Sequence, residues 1–547
     1  MKYVYFFAAL FFLLAWLLPN HYLPWLSVYQ ESSMAIAGFS LSVILIKKYK
    51  IEIPRFIFFL LLVSLLPLIQ YSLGIIYFFG EAFVISLYLL GLTTACILGF
   101  NISKLQPQEK NKIIIGFFIV LLIASIISVW IQMRQWLLFE GNIWTVDLAP
   151  NGRPFANVAQ PNLLSTLLTI GCISTLYLFE NKKINVSVAS LAALFLIFGI
   201  VLAQSRTAWV FSAIFIVWWL FKSKKIIPML TPKYLFFWIS LYISFLFFVP
   251  YLSQFLGITD VRGIGDRATT GLQRIEMWKQ ILIAIREAPL LGYGWGQVNI
   301  AQMSITSSIS STPVFGYSHN IILDLFIWNG FVLGSLIIIV ITSFFLKLLL
   351  QAGTTNSVLM LTCIGAILVH SLFEYPFAYT YFLLPFGFLI GFVYAEIKNK
   401  YVSFYLSSKI YTAYLLFLFC LISYVLIEYV RSSQEYQLMR YENVQLRETD
   451  IQKNEFDFML LGQINEYIWF ARETKLYTLN NQQLERMRKV VYRYPEQPLL
   501  YKYIKVLVMN NKKLEAKKMI DFYNTFFDQS LTLEKIIHIT HLELHDK

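Results

Sequence analysis

Charge is scarce in this sequence. Asp, Glu, Lys and Arg make up 14% of its 547 residues and apolar residues 58%, where a soluble domain carries roughly 25% charged residues. That deficit excludes an ordinary water-soluble globule and points to an integral membrane protein. Cysteine is sparse too. Cys96, Cys172, Cys363 and Cys420 all fall inside apolar runs, so neither a disulfide framework nor a CxxC metal site is expected. No Walker sequence occurs, and the glycines at 292–296 follow no strand, which excludes a dinucleotide loop. No His, Asp and Glu residues stand at metal-ligand spacing, and no DxD-like pair faces outward. A metal-dependent nucleotide-sugar enzyme is therefore not expected.

What the sequence does have is hydrophobic runs. They lie near 3–18, 33–46, 56–72, 81–99, 113–131, 161–179, 186–203, 207–221, 233–252, 320–347, 357–373, 377–396 and 410–430. Each approaches the ~20 residues that cross a bilayer as a helix, which predicts an all-α polytopic membrane protein with about thirteen transmembrane helices. The first run follows Met1-Lys2 with no small-x-small cleavage site, and Pro19-Asn20-His21 resembles a span exit, so a retained helix is expected.

The formal net charge of +13 invites a nucleic-acid partner, but its distribution argues against one. Lysines gather in alternate connectors: Lys47, Lys48 and Lys50; Lys104, Lys110 and Lys112; Lys182 and Lys183; Lys222, Lys224 and Lys225; Lys398 and Lys400. The positive-inside rule places these in the cytoplasm. Connectors 134–160, 204–206, 254–319 and 374–376, and everything after Arg431, then face the opposite side. The expected organisation is nine transmembrane helices over 1–253, a large outer loop over 254–319, four more helices over 320–430, and an outer helical domain over 431–547.

The 254–319 loop is longer than a connector needs to be. It holds Arg262, Arg267, Arg274 and Arg286 but a single lysine, Lys279, and ends in Tyr317-Ser318-His319-Asn320. Leu272, Ile275, Trp278, Ile281, Leu282 and Ile285 fall at helical spacing. They predict an amphipathic helix over 272–286 on the membrane surface. Gly292-Tyr293-Gly294-Trp295-Gly296 reads as a flexible turn. Beyond Arg431, helices are expected over 434–448, 455–475, 481–492, 498–510, 513–526 and 531–543. The stretch from Pro498 to Phe527 vaguely resembles one tetratricopeptide unit.

Several residues suit chemistry on a phosphate-bearing lipid. His319 either accepts a hydroxyl proton near neutral pH or caps the following helix. Arg206, in Ser205-Arg206-Thr207, stands between two apolar runs. An arginine at mid-bilayer costs at least ~2.5 kcal/mol and is usually functional, unless it snorkels to the headgroups. Its planar guanidinium matches phosphate oxygens bidentately. Arg274, beside the face that includes Trp278, extends that anion site, and Arg267 and Arg286 are either part of it or solvated. Asn157, Gln160 and Asn162 can donate to and accept from sugar hydroxyls, or cap a helix. His370 and Glu374, four apart, form an acid–base pair or a buried polar pair joining helices.

Four segments together resemble the PglL/PilO-type bacterial protein O-oligosaccharyltransferases, within the O-antigen ligase and polymerase superfamily. They are Arg153-Pro-Phe-Ala-Asn157-Val-Ala-Gln160-Pro-Asn162; Ser205-Arg206-Thr207-Ala208; Gly292-Tyr-Gly-Trp-Gly-Gln297 with Ser318-His319-Asn320; and His370-Ser-Leu-Phe-Glu374-Tyr375-Pro376 with Phe382-Leu-Leu-Pro-Phe-Gly387. The resemblance covers roughly 150–395. It implies a GT-C-like bundle in the bacterial inner membrane, with its active site facing the periplasm. A preassembled glycan would pass from undecaprenyl diphosphate to Ser or Thr of periplasmic proteins such as pilins, without metal or other cofactor. Arg206 and Arg274 would hold the diphosphate and His319 would activate the acceptor hydroxyl. Arg267, Trp278, Asn320, Asn157, Gln160, Asn162, His370, Glu374 and Tyr375 would shape the substrate sites. In an alternative assignment Glu374 is the base and His319 binds phosphate as imidazolium. The rival activities are a ligase acting on lipid A core, a polymerase of the glycan, and a non-enzymatic transporter of the lipid-linked glycan. The last predicts repeated broken spans, which are not evident.

Overall fold

The computed structural model describes residues 2–46, 50–139, 148, 152–258, 272–305, 313–397, 403–444, 458–474 and 476–545. Arg262, Arg267, Lys47, Lys48, Lys398 and Lys400 lie outside the described residues.

The elements in order are α1 (Lys2–Leu17), α2 (Val28–Ile46), β1 (Lys50–Pro54), α3 (Phe56–Ser72), α4 (Phe79–Ser103), α5 (Pro107–Trp136), α6 (Pro161–Glu180) and α7 (Val186–Ala203). Then come α8 (Arg206–Ile226), α9 (Pro232–Phe255), α10 (Leu272–Glu287), α11 (Val298–Ser304), α12 (Ile321–Gln351), α13 (Thr355–Ser371), α14 (Thr380–Glu396) and β2 (Ser403–Ser407). The chain ends with α15 (Ser408–Asn443), α16 (Gly462–Arg472), α17 (Asn481–Arg493), α18 (Gln497–Met509), α19 (Lys513–Phe527) and α20 (Leu533–His545). Every predicted span falls on a helix, but the expected thirteen are not all long and apolar enough to cross, and α8 is not among those that are. Among the described residues, eight helices (α2, α4, α5, α6, α7, α9, α12 and α15) are long and apolar enough to cross a membrane, and α1, α3, α13 and α14 are shorter apolar helices. This is a polytopic membrane protein.

Some elements differ from those expected. β1 and β2 pair antiparallel, with Lys50 opposite Ser407 and Pro54 opposite Ser403, so a short ribbon joins two connectors where only loops were expected. The helix expected over 434–448 is not separate, because α15 runs unbroken to Asn443. Hydropathy falls after residue 430, but no Pro or Gly interrupts the helix there, so it continues as a polar one.

The chain forms two compact units. The first comprises Met1–Leu62, Tyr88–Thr270 and Ile341–Phe419. Its core is apolar side chains contributed by most of its helices. α4 and α14 touch backbone to backbone: a Cβ at Gly99 would lie 1.9 Å from the Phe388 carbonyl oxygen, and one at Gly391 2.0 Å from that of Cys96. Small residues permit such contact, which replaces the hydrophobic drive that lipid does not supply. α6 is deeply enclosed despite its hydroxyls. Thr166, Thr169, Ser174 and Thr175 donate to the carbonyls four residues back, satisfying themselves within the helix. Lysines beside α4 and in α5 take carboxylate partners: Lys104 pairs with Glu52 of β1, and Lys110 lies 3.3 Å from Glu396 of α14. The four cysteines are free thiols.

The second unit comprises Val63–Leu87, Gly271–Val340 and Cys420–Lys547. Its helical part has a core of Met487, Val490, Leu500, Ile504, Leu507, Ala516, Met519 and Ile536, which Phe78 and Met303 also join. A capping box between Asn480 and Gln483 starts α17. The Glu428 carboxylate accepts the N–H groups of Met459, Leu460 and Leu461, each at 2.9 Å, which anchors the chain before α16.

Lys502 of α18 donates to the carbonyls of Phe470 and Ala471 at 2.8 and 2.9 Å, and burial pulls its ammonium down to about 8 from an ordinary 10.5. The unfolded chain then binds this proton more tightly than the folded one. The resulting destabilisation is complete below about pH 8 and is relieved as pH rises toward 10.5. Thermal unfolding across that window should show wild type gaining stability relative to Lys502→Met; parallel curves would contradict this.

The 292–296 turn is anchored rather than flexible. Tyr293 N–H donates to the Ile327 carbonyl at 2.7 Å, Gly294 N–H to Trp328 at 3.2 Å, and Phe331 N–H to Pro289 at 2.7 Å. Gly330, with φ 71°, breaks the helical path of α12 to allow this. A Cβ at Gly330 would sit 2.4 Å from the Leu290 oxygen, and one at Gly292 2.4 Å from that of Ile327, so glycine is required at both. Gln70 then donates to the Trp328 carbonyl at 2.7 Å and accepts the Trp295 N–H at 3.0 Å. Gln297 donates to the Ile75 carbonyl at 2.7 Å and accepts the Tyr77 N–H at 3.1 Å.

Candidate active site

In the first unit the amide-rich segment meets the end of α13. Pro161 opens α6, where its fixed φ and missing N–H cost nothing. Gln160 makes no capping bond; its Nε2 lies 3.4 Å from Glu374 Oε2. Asn162 Nδ2 donates to Glu374 Oε1 at 2.7 Å. Glu374 is 3% exposed and lies just past α13, where its N–H donates to the His370 carbonyl at 2.9 Å. His370 is buried and shares a 2.8 Å hydrogen bond between Nδ1 and Thr166 Oγ1. Both His370 and Glu374 therefore take partners on α6, joining the two helices.

Arg153 extends this cluster toward Arg206. Its Nη1 donates to Asn162 Oδ1 at 3.2 Å and to the Gln204 carbonyl at 3.4 Å. Gln204 ends α7 in the left-handed region with φ 49°, and Ser205-Arg206 begin α8 immediately after it. Arg206 is half-buried there. In the sequence Arg153 stands only as the first residue of the amide-rich motif. The available signal was an arginine on the side where basic residues are scarce, close ahead of the amides. Asn157 takes a different place. It is 2% exposed, accepts from Ser128 Oγ at 3.0 Å and donates to the Trp16 carbonyl at 2.5 Å, which makes it a brace between helices. Tyr375 lies over Tyr379 with centroids 6.3 Å apart. Burial, and then the neighbouring Glu374 charge, raise its phenol above its ordinary value, so it remains a neutral donor.

In the second unit His319 has a specialised setting. Its φ of 56° lies in the left-handed region, which is strained for a side-chain-bearing residue and commonly marks functional sites. Three contacts hold it there. Ser318 N–H donates to Asp324 Oδ1 at 2.8 Å, Ser318 Oγ donates to the Asn320 carbonyl at 2.8 Å, and the Trp278 indole donates to the Ser318 carbonyl at 3.0 Å. Asn320 Oδ1 accepts the Ile322 N–H at 3.0 Å and caps α12. The 2%-exposed Asp324 interacts electrostatically with His319. Asp324 escaped the sequence reading because it lies inside an apolar run.

Trp278 is thus the link between α10 and the His319 loop. Arg274, half-buried, is one helical turn from Trp278 on the same face. Of the apolar face expected for α10, Ile281 is buried, together with Gln280 and Ala284, while Ile275 and Leu282 are exposed. Arg286 is exposed at its end. Among the described residues no three His, Cys, Asp or Glu side chains group as metal ligands.

The fold defines a polytopic membrane protein, and comparison with known proteins specifies which kind. A family model described as "O-Antigen ligase" matches residues 191–339, which include Arg206, Arg274, Trp278 and His319. One described as "Protein glycosylation ligase" matches 154–179, and one described as "Virulence factor membrane-bound polymerase, C-terminal" matches 358–536. The chain is 30% identical to a General O-oligosaccharyltransferase of Acinetobacter baylyi, over 96% of this chain and 92% of that one. It is 32% identical to a ComP-specific O-oligosaccharyltransferase of the same organism, over 95% of each. The chain belongs to the protein O-oligosaccharyltransferases of the O-antigen ligase family, and it is a glycosyltransferase.

Proposed function

We propose that this protein transfers a preassembled oligosaccharide en bloc from undecaprenyl diphosphate to Ser or Thr hydroxyls of periplasmic proteins such as a pilin, without metal. The carrying observation is its near full-length similarity to two O-oligosaccharyltransferases, one of them named for a single protein acceptor. In this reading the enzyme lies in the bacterial inner membrane with its site toward the periplasm. That orientation is supported by the lysine-bearing connectors. The loop over 254–319 and the helical domain after Arg431 then lie outside the membrane.

The acceptor oxygen attacks the anomeric carbon of the first sugar as the bond from that carbon to the diphosphate oxygen breaks. The hydroxyl proton passes to His319, and undecaprenyl diphosphate leaves with the bonding pair. Arg206 and Arg274 stabilise the charge growing on phosphate, which lowers the barrier because their attraction is stronger in the transition state. Asn320, and Arg267 outside the described residues, are assigned to substrate binding in this reading. Gln160, Asn162, His370, Glu374 and Tyr375 shape the glycan or acceptor side, Trp278 orients the His319 loop, and Asn157 braces the segment from outside the reacting centre.

The match to an O-antigen ligase model favours a second reading, transfer to lipid A core. Mass spectrometry of exported proteins from strains with and without the gene separates them. Loss of a Ser- or Thr-linked glycan from a pilin-like protein is expected in the deletion strain. Retention of that glycan with loss of surface polysaccharide would establish the lipid acceptor instead.

A further inference from the structure

The start of α8 offers more to an anion than Arg206. Ser205 occupies the N-cap position and is 1% exposed, yet its side chain makes no capping bond. Its Oγ has no hydrogen-bond partner among the described residues. A serine at this position ordinarily accepts from an N–H of the first turn, and a buried hydroxyl without a partner is costly. The helix it precedes has 21 residues, so its first-turn N–H groups present partial positive charge at the same place. Arg153 adds a second guanidinium. It donates to the Gln204 carbonyl, the residue immediately before Ser205, at 3.4 Å, and to Asn162 at 3.2 Å.

Resting on the reading that Arg206 binds the donor's diphosphate, we propose that Ser205 and Arg153 complete that seat at the N-terminus of α8. The Ser205 hydroxyl donates to a phosphate oxygen, and the guanidinium groups of Arg153 and Arg206 share the charge of the two phosphates. A diphosphate suits this set because two linked phosphates can engage two guanidinium groups and a hydroxyl together, whereas a carboxylate has only two oxygens to offer. Ser205 and Arg153 are binding residues here, and Arg153 also keeps the Gln204 turn in place.

The test titrates undecaprenyl diphosphate and, separately, inorganic pyrophosphate into the purified full-length protein in detergent. Ser205→Ala should weaken undecaprenyl diphosphate about tenfold, as expected for one hydrogen bond to a charged group. Arg153→Gln should weaken it at least as much, and Arg153→Lys less. Pyrophosphate should follow the same order of variants, which assigns the recognition to the diphosphate itself. Lipid binding that is insensitive to all these variants would place the affinity in the prenyl chain and overturn the proposal. Wild-type affinity in Ser205→Ala and Arg153→Gln, with loss in Arg206→Ala, would overturn it while leaving the Arg206 reading intact. Wild-type affinity in Arg206→Ala as well would remove both. Arg153→Gln with lowered turnover but unchanged diphosphate affinity would reduce Arg153 to a positioning residue, contrary to the proposal. Ser205→Ala deletes only one oxygen, so it keeps the test decisive where an Arg153 variant fails to fold.

Discussion

Glycan transfer by the His319→Ala variant is expected to fall about 10²- to 10⁴-fold, the usual contribution of a positioned general base. Insertion and folding should persist, because the loop keeps its other anchors: Ser318 on Asp324, the Trp278 indole on the Ser318 carbonyl, and Asn320 capping α12. The measurement is glycosylation of a purified acceptor with saturating lipid-linked glycan, so that the loss appears in kcat. Asp324→Asn should produce a smaller loss, since it keeps a hydrogen-bonding side chain beside Ser318 but removes the charge facing His319. The rival assignment makes a different forecast. With Glu374 as the base, Glu374→Gln would give the larger fall in kcat, and His319→Ala would mainly weaken donor binding. The two variants measured together decide the matter.

Arg206→Ala should cost about 10²- to 10³-fold in turnover, comparable to removing one fixed donor from a transition-state site. The chemistry concentrates charge on the departing diphosphate, so the loss should appear more in kcat than in KM. Arg206→Lys should recover only part of it. An ammonium keeps the charge but not the planar pair of N–H groups that meets two phosphate oxygens together. Wild-type turnover in purified, correctly inserted Arg206→Ala would remove the diphosphate clamp from the mechanism. Helix α8 should survive the change, because its first-turn bond from Ala208 N–H to the Ser205 carbonyl is made by backbone alone.

The site was legible where residue type carries the meaning. Arg206 stood out because arginine between two apolar runs is expensive, and His319 because a titratable ring closes an arginine-rich loop. Arg153 and Asp324 were harder to see. Arg153 is one charge in a polar connector until Asn162 and the Gln204 carbonyl are brought to it. Asp324 is one acid at the start of an apolar helix until Ser318 turns back onto it. The glycines at 292–296 suggested freedom, but the positive φ of Gly292 serves a close approach to α12.

By itself the sequence determined the membrane class and the positions of the apolar helices. Hydropathy and helical period are sums over neighbouring residues, so they can be read locally. Only the tertiary structure decided the pairings. Asn162 reaches Glu374 across 212 positions, Gln70 holds Trp295 across 225, and Lys50 of β1 finds Ser407 of β2. Such pairings depend on which elements pack together and at what depth, so a residue's partner is set by that distant backbone rather than by its own neighbours.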